Sequence, residues 1–383
     1  MNDCSYITTM CRKGWFPSGK RDLRRLFKAA LWLLVPCLPG ILLPGCEELP
    51  VEVVYRSLEG ASGVFISCEG NYMYGNGSLS FYDREKGEVY NQLFFARNHA
   101  PLGDVPQSLF CDGKSLFIVV NNSGKVVALD PESLAFKGAV TGLTSPRYLH
   151  QVDDTTLWVS DLHAGGITVF HPGSLRKKGF IPLPGGTAGA AGHPTEQFAH
   201  VGNDIFVTCW SYDNKVMVLD AVTATVVDSL TVPAQPGRIV ADGRSRLWVL
   251  TGGSYGGAEG GAEEPALVRI DPTTRTVEQI FRWNAGSDKP GDLHLSPAGD
   301  SLYILAGDLY KMSVLDRKFP LLPHIRGGHR TYYNAGIDPR TGEIYLADAI
   351  DYAQNGMVYR FSPGGTPADS FRVGINPGDF LFR

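Results

Sequence analysis

The chain has 383 residues, with 35 Lys+Arg against 39 Asp+Glu and a formal net charge of −4. Residues 1–45 hold 7 of the basic and 2 of the acidic side chains, so the remaining 28 basic and 37 acidic residues carry a net charge near −9. Such a surface lacks the basic footprint that neutralises phosphates, which excludes a nucleic-acid partner.

The first elements read as an address. Residues 20–28, KRDLRRLFK, are basic, and residues 29–43, AALWLLVPCLPGILL, carry no charge. A basic segment followed by a short apolar one is the pattern of a secretory signal peptide. The run is shorter than the roughly 20 residues of a spanning helix, and Pro36 and Pro39 interrupt it. Leu43-Pro44-Gly45-Cys46 resembles a bacterial lipobox, with Pro44 where a small residue is usual. Residues 1–45 are therefore expected to be a lipoprotein signal peptide, with Cys46 lipidated and the lipid anchor the only membrane contact. Glu47-Glu48 resembles the signal that sends some lipoproteins to the outer face of the outer membrane, so the expected location is the cell surface. Residues 46–62 are expected to form a tether and a lead-in strand. Past the leader only Cys68, Cys111 and Cys209 remain. Three cysteines at wide spacing make no disulfide framework and read as small buried apolar residues.

From residue 63 one pattern recurs seven times. It begins with GVFISCEGNYMYGNGSLSFYDRE (63–85), then SLFIVVNNSGKVVALDPES (115–133) and TLWVSDLHAGGITVFHPGS (156–174). It continues with DIFVTCWSYDNKVMVLDAVT (204–223), RLWVLTGGSYGGAEGGAEEPALVRIDPTT (246–274), SLYILAGDLYKMSVLD (301–316) and EIYLADAIDYAQNGMVYRFSPGG (343–365). The second strand of each pair ends at 83, 130, 171, 220, 271, 316 and 362. A period in the forties, with short β-rich strands and Gly/Asn/Asp turns, predicts an all-β chain: a β-propeller with one blade per repeat. Runs such as LFIVV and LYILA are apolar without alternation, as expected when both faces pack on neighbouring blades. VPQSLF (105–110), SPRYLH (145–150), QPGRIV (235–240) and KPGDLH (289–294) read as innermost strands, which a leading proline can start without loss of a ladder bond. The first copy lacks one, and NPGDFLFR (376–383) supplies it. The domain is thus 63–383, seven blades closed by a C-terminal strand that completes blade one and removes an open sheet edge.

The two rims of such a ring differ here. One carries plain turns, DGK, DPES, PAGD and PRTG, chosen for backbone reasons. The other gathers Tyr72, Tyr74, Asn76, Asn98, Arg147, Tyr148, His163, Trp210, Tyr212, Tyr255, Trp283, Arg330, Tyr333, Asp351 and Tyr352. Aromatics interleaved with Asn, Asp and Arg are what a binding surface uses, and these fifteen are the candidate ligand-binding residues. No phosphate-cradling loop or Cys-x-x-Cys pair is present, so no catalytic residue is assigned. His99, His163, His193, His324 and His329 fall on the same rim without metal-ligand spacing and are expected to be solvated, with no metal and no cofactor.

CEGNYMYGNGSLSFYD, NHAPLGDVPQSLF, NNSGKVVALD, SPRYL and LADAIDYAQNGMVYRFSPGGTPADSFRVGINPGDFLF together resemble the YncE-like seven-bladed propeller lipoproteins of Gram-negative gut bacteria, BtuG type. The resemblance spans nearly all of 63–383. It implies a non-catalytic surface lipoprotein that captures cobalamin or another corrinoid and hands it to an outer-membrane TonB-dependent transporter. Two alternatives stay open: a protein-interaction scaffold, and a metal-dependent lactonase or lyase with Asp104, Glu196, Asp292 and Asp379 near the central channel.

Overall fold

In the computed structural model the described residues are 55, 57–186, 190–254, 262–282 and 290–383. The signal peptide, Cys46, Tyr255 and Trp283 lie outside them. Seven antiparallel sheets follow one another along the chain. The innermost strands of blades two to seven are Pro106–Cys111, Pro146–Asp153, Thr195–Val201, Pro236–Ala241, Asp292–Leu295 and Tyr332–Ile337. Blade one is completed from the far end: Pro377–Phe382 pairs antiparallel with Gly63–Cys68, from Val64↔Phe382 to Cys68↔Pro377. The ring is therefore the expected seven-bladed propeller with the expected closure.

The apolar runs sit where their lack of alternation requires. Leu116–Val120 and Ile344–Asp348 are buried at every position, whereas the outermost strands Lys177–Pro182 and Thr225–Thr231 are mostly exposed. Among the described residues the core divides into seven clusters, each spanning the seam between two adjacent blades. The seam between blades two and three, for example, packs Phe117, Val119 and Val126 against Leu157, Val159 and Phe170. Burial of this kind contributes about 25 cal/mol per Å² of apolar surface and is what holds blade to blade.

The plain rim is built by one repeated device. Asp130, Asp220 and Asp271 each accept backbone N–H bonds from two and three residues on. His171 Nδ1 takes the same role in blade three. The next residues, Leu134, Ala224, Arg275 and Leu175, have φ of 54–57°, and a register shift follows in the outer hairpin. This is a turn closed by one left-handed residue and a bulge, repeated in four blades.

Three features depart from the expected pattern. Residues 57–62 form a turn and irregular segment with Leu58 buried in the core between blades one and two, while 46–54 and 56 of the expected tether and lead-in strand lie outside the described residues. A six-residue helix α1, Leu93–Asn98, follows the short outer strand Glu88–Tyr90. Blade six has three strands, and Ile325 bridges to Leu309 where a fourth would run. Cys68 and Cys209 are buried as expected, and Cys111 is half-buried.

Candidate binding site at the channel mouth

The innermost strands all begin at the same end of the ring, so their first residues converge. Val105, Gln235 and Asn376 precede the prolines that start three of these strands, and their φ values are 58°, 60° and 51°. A left-handed conformation is uncommon for a residue other than glycine, and the position before proline favours extended backbone instead. Local hydrogen bonds hold the strain: Asn121 N–H donates to Val105 O at 2.8 Å, Gly252 N–H to Gln235 O at 2.9 Å and Glu69 N–H to Asn376 O at 2.9 Å. All three side chains line one cavity of about 550 Å³ at the channel mouth.

The cavity has an ionic floor. Arg147 grips Glu196 through two bonds, Nε to Oε2 at 2.7 Å and Nη2 to Oε1 at 2.8 Å, with side chains 14 % and 5 % exposed. Arg147 also donates to Gln107 Oε1 and lies 5.5 Å from the Trp210 ring centroid. Arg238 pairs with Asp292 at 3.1 Å, donates to the Tyr148 hydroxyl and stands over that ring at 5.3 Å. Such pinned guanidiniums have little freedom left to lose when a partner arrives. The Tyr333 hydroxyl donates to Glu69 Oε2 at 2.9 Å, and its ring meets Tyr352 edge-on at 5.9 Å. Asn334 Oδ1 and Asn376 Oδ1, both on cavity-lining residues, are buried acceptors with no donor.

Charge in the floor is tuned by burial. Burial pushes the Glu69 carboxyl up to about 6, against the Tyr333 hydrogen bond and the Arg147 and Arg238 charges. Burial likewise raises Asp379, which accepts Leu109 N–H at 2.7 Å, to about 6. Burial would also raise Asp292, but His294 at 2.7 Å and Arg238 outweigh it and hold that carboxylate well below its usual range. His294 is correspondingly raised: burial opposes its charge, and Asp292 prevails.

The candidate residues divide in three. Tyr72, Arg147, Trp210, Tyr333 and Tyr352 come together around the cavity, and Tyr148 reaches it through Arg238. Tyr72 is 66 % and Tyr352 50 % exposed, so both rings stand at the mouth. Tyr74, Tyr212, His163 and Arg330 are exposed but outside the cavity lining, and Arg330 stacks over Tyr359 at 4.2 Å. Asn76, Asn98 and Asp351 are consumed locally. Asn76 interlocks with Asn71 at 2.8 and 3.1 Å, and Asp351 Oδ1 accepts from the Ala353 and Gln354 N–H groups. Asn98 closes α1, where Nδ2 donates to Phe94 O and Leu134 O and Oδ1 accepts from Phe136 N–H, so both ends are tied to backbone.

Glu69, Gln107 and Arg238 are the floor residues that the sequence reading missed. A signal existed for one of them: QPGRIV carries an arginine just after the strand-starting proline, as SPRYLH does. Ser254 also sits in a Gly-x-Ser-x-Gly run, 252–256, but its hydroxyl accepts from Glu263 N–H in a loop between strands. The expectation of solvated histidines is corrected at His193, which is buried and shares a 2.7 Å contact between Nδ1 and Asp213 Oδ2. His324 is half-buried on Pro363 O at 3.1 Å, while His99, His163 and His329 are exposed.

Solved structures carry the same fold at low identity. A quinoprotein alcohol dehydrogenase-like protein of Bacteroides thetaiotaomicron is 15% identical over 85% of this chain and 79% of its own, with a TM-score of 0.62. A candidate 6-phosphogluconolactonase of Bacteroides fragilis is 16% identical over 84% of this chain and 98% of its own, with a TM-score of 0.60. Apo AztD of Citrobacter koseri is 10% identical over 84% of this chain and 97% of its own, with a TM-score of 0.56. At these identities the likeness speaks for the fold alone. No curated protein matches the sequence. One family model does, over residues 62–370, and the chain belongs to that family, described as Domain of unknown function (DUF5074).

Proposed function

We propose that this propeller captures a small ligand of the corrinoid class at its channel mouth and passes it to an outer-membrane TonB-dependent transporter, held nearby by a lipid on Cys46. The observation that carries the reading is the pairing of an aromatic mouth with a pinned polar floor. Tyr72, Trp210 and Tyr352 offer stacking area, while Gln107, Arg147, Arg238, Asn334 and Asn376 line the polar floor beneath it. A broad, amide-fringed macrocycle matches both. A cavity of about 550 Å³ takes one edge or side chain of such a ligand, and the remainder lies across the exposed tyrosines. The lipid anchor and the transporter follow from the resemblance of the leader and the blades.

Calorimetric titration of cyanocobalamin into the purified protein, with haem as control, tests the reading. The expected result is one-to-one binding that weakens by about 30-fold or more in Trp210→Ala and in Tyr352→Ala, the loss of about 2 kcal/mol typical of an aromatic anchor. No heat with any corrinoid would overturn it. A hydrolytic reading has one observation in its favour: two half-buried carboxyls, Glu69 and Asp379, held near 6, the range useful for proton transfer at neutral pH. Lactone turnover that disappears in Glu69→Gln would establish that reading instead.

A further inference from the structure

A second constellation lies away from the channel floor, on blade four. His193 precedes the innermost strand Thr195–Val201, Cys209 ends the next strand, Asp204–Cys209, and Asp213 lies in the loop after it. All three are buried, and one donor atom from each lies within 4.8 Å of the other two. Asp213 Oδ2 already touches His193 Nδ1 at 2.7 Å, while Cys209 is a free thiol. We infer that His193, Cys209 and Asp213 form a site for a borderline divalent metal ion of the zinc type.

Three observations support this beyond the donor set. The imidazole is held in place from its far side: Gly185 has φ of 122°, and a Cβ there would stand 2.6 Å from His193 Nε2, so only glycine fits beside the ring. The site has an entry path, because His193 and Asp213 line an open hollow of about 650 Å³ with Gly185, Gly186 and Lys215. The spacing also has a structural consequence. Cys209 and Asp213 bracket the turn that holds Trp210, whose N–H donates to Pro194 O and whose carbonyl accepts from Asp213 N–H, each at 2.9 Å. A metal tied to 193, 209 and 213 would clamp the loop entering blade four onto the loop that presents Trp210.

Thiolate, imidazole and carboxylate together suit Zn²⁺ and exclude the hard cations Mg²⁺ and Ca²⁺, which take oxygen ligands. Three protein ligands would leave room in the ion's coordination for a water or one further ligand. Binding would displace the thiol proton of Cys209 to solvent and open the close His193–Asp213 contact to ligand–ligand spacing.

Cobalt titration tests the site directly. The purified full-length chain is stripped with chelator and titrated with Co²⁺. The expected result is one ion per chain, with a thiolate-to-cobalt charge-transfer band and strong tetrahedral visible bands, both displaced by Zn²⁺. Cys209→Ser should abolish the charge-transfer band, and His193→Gln should weaken binding at least tenfold. Cys111→Ser, which alters the more accessible thiol, should keep the band. Absence of the band in folded wild-type protein, or its persistence in Cys209→Ser, or its loss in Cys111→Ser, would overturn the assignment. Circular dichroism of each variant separates a lost ligand from a lost fold.

Discussion

Replacing Arg147 by methionine tests the floor of the cavity most sharply. The substitution keeps an unbranched chain and removes the guanidinium. Glu196, 5 % exposed and held by two bonds of 2.7 and 2.8 Å, then loses its cation inside the ring. An uncompensated buried charge of this kind costs about 3–5 kcal/mol. At about 2.1 cal/mol/K per residue, a propeller of some 320 residues unfolds with an entropy of about 0.7 kcal/mol/K, so Tm should fall by roughly 4–7 °C. Glu196→Leu leaves Arg147 with Gln107 and the nearby Glu69 and should cost less. The double variant Arg147→Met/Glu196→Leu restores an uncharged floor and should sit within about 1 kcal/mol of wild type. Urea unfolding with constant m, supported by calorimetry, supplies the four corners of the cycle. Single losses below about 1 kcal/mol, or a double loss equal to the sum of the singles, would refute the claim that this pair is buried and mutually dependent.

Two further outcomes follow. Glu69 and Asp379 keep protons in the folded state up to about 6, so the stability they contribute is fully present below about 4 and lost as pH rises through about 6; for Glu69 this amounts to about 2 kcal/mol. His150, pushed down to about 4 by burial and by His200, opposes that trend across pH 4–6.5, so the measurement is the stability of wild type minus that of Glu69→Gln, which should fall by about 2 kcal/mol as pH rises from 4 to 7; a pH-independent difference would contradict the assignment. Gly336→Ala should cost about 1–3 kcal/mol in a thermal melt, because a Cβ at that position would stand 2.8–2.9 Å from Phe380 Cβ and Cγ across the seam between blades seven and one; an unchanged Tm would show that this seam can yield.

The fold was open to reading because propeller repeats state their own geometry. Apolar runs without alternation, prolines at strand starts and the displaced NPGDFLFR together led to seven blades and a closing strand, and the register Val64↔Phe382 agrees. Blade six was less legible: its missing outer strand is replaced by an irregular segment whose single bridge, Ile325 to Leu309, leaves no periodic trace. The site was legible in its aromatics, in Arg147 and in Glu196, and hidden in Glu69 and Arg238. Tyr72, Trp210, Tyr333 and Tyr352 announce themselves as loop aromatics, whereas Glu69 and Arg238 meet Arg147 only because the ring closes. Asn98 and Asp351 look like binding groups in a sequence, and only the backbone they cap reveals otherwise. His193 was misjudged for the same reason, since its partner Asp213 stands 20 residues along and on another loop.

The closing strand also sets a timetable. Gly63–Cys68 leaves the ribosome about three hundred residues before Pro377–Phe382, the segment that must pair with it. At about 5–20 residues per second, that edge waits roughly 15–60 s with its backbone groups unpaired. The blade begun first is thus the blade finished last. Any release of the chain between those two strands yields a ring with a gap, whose edge strand is apolar and able to recruit another chain.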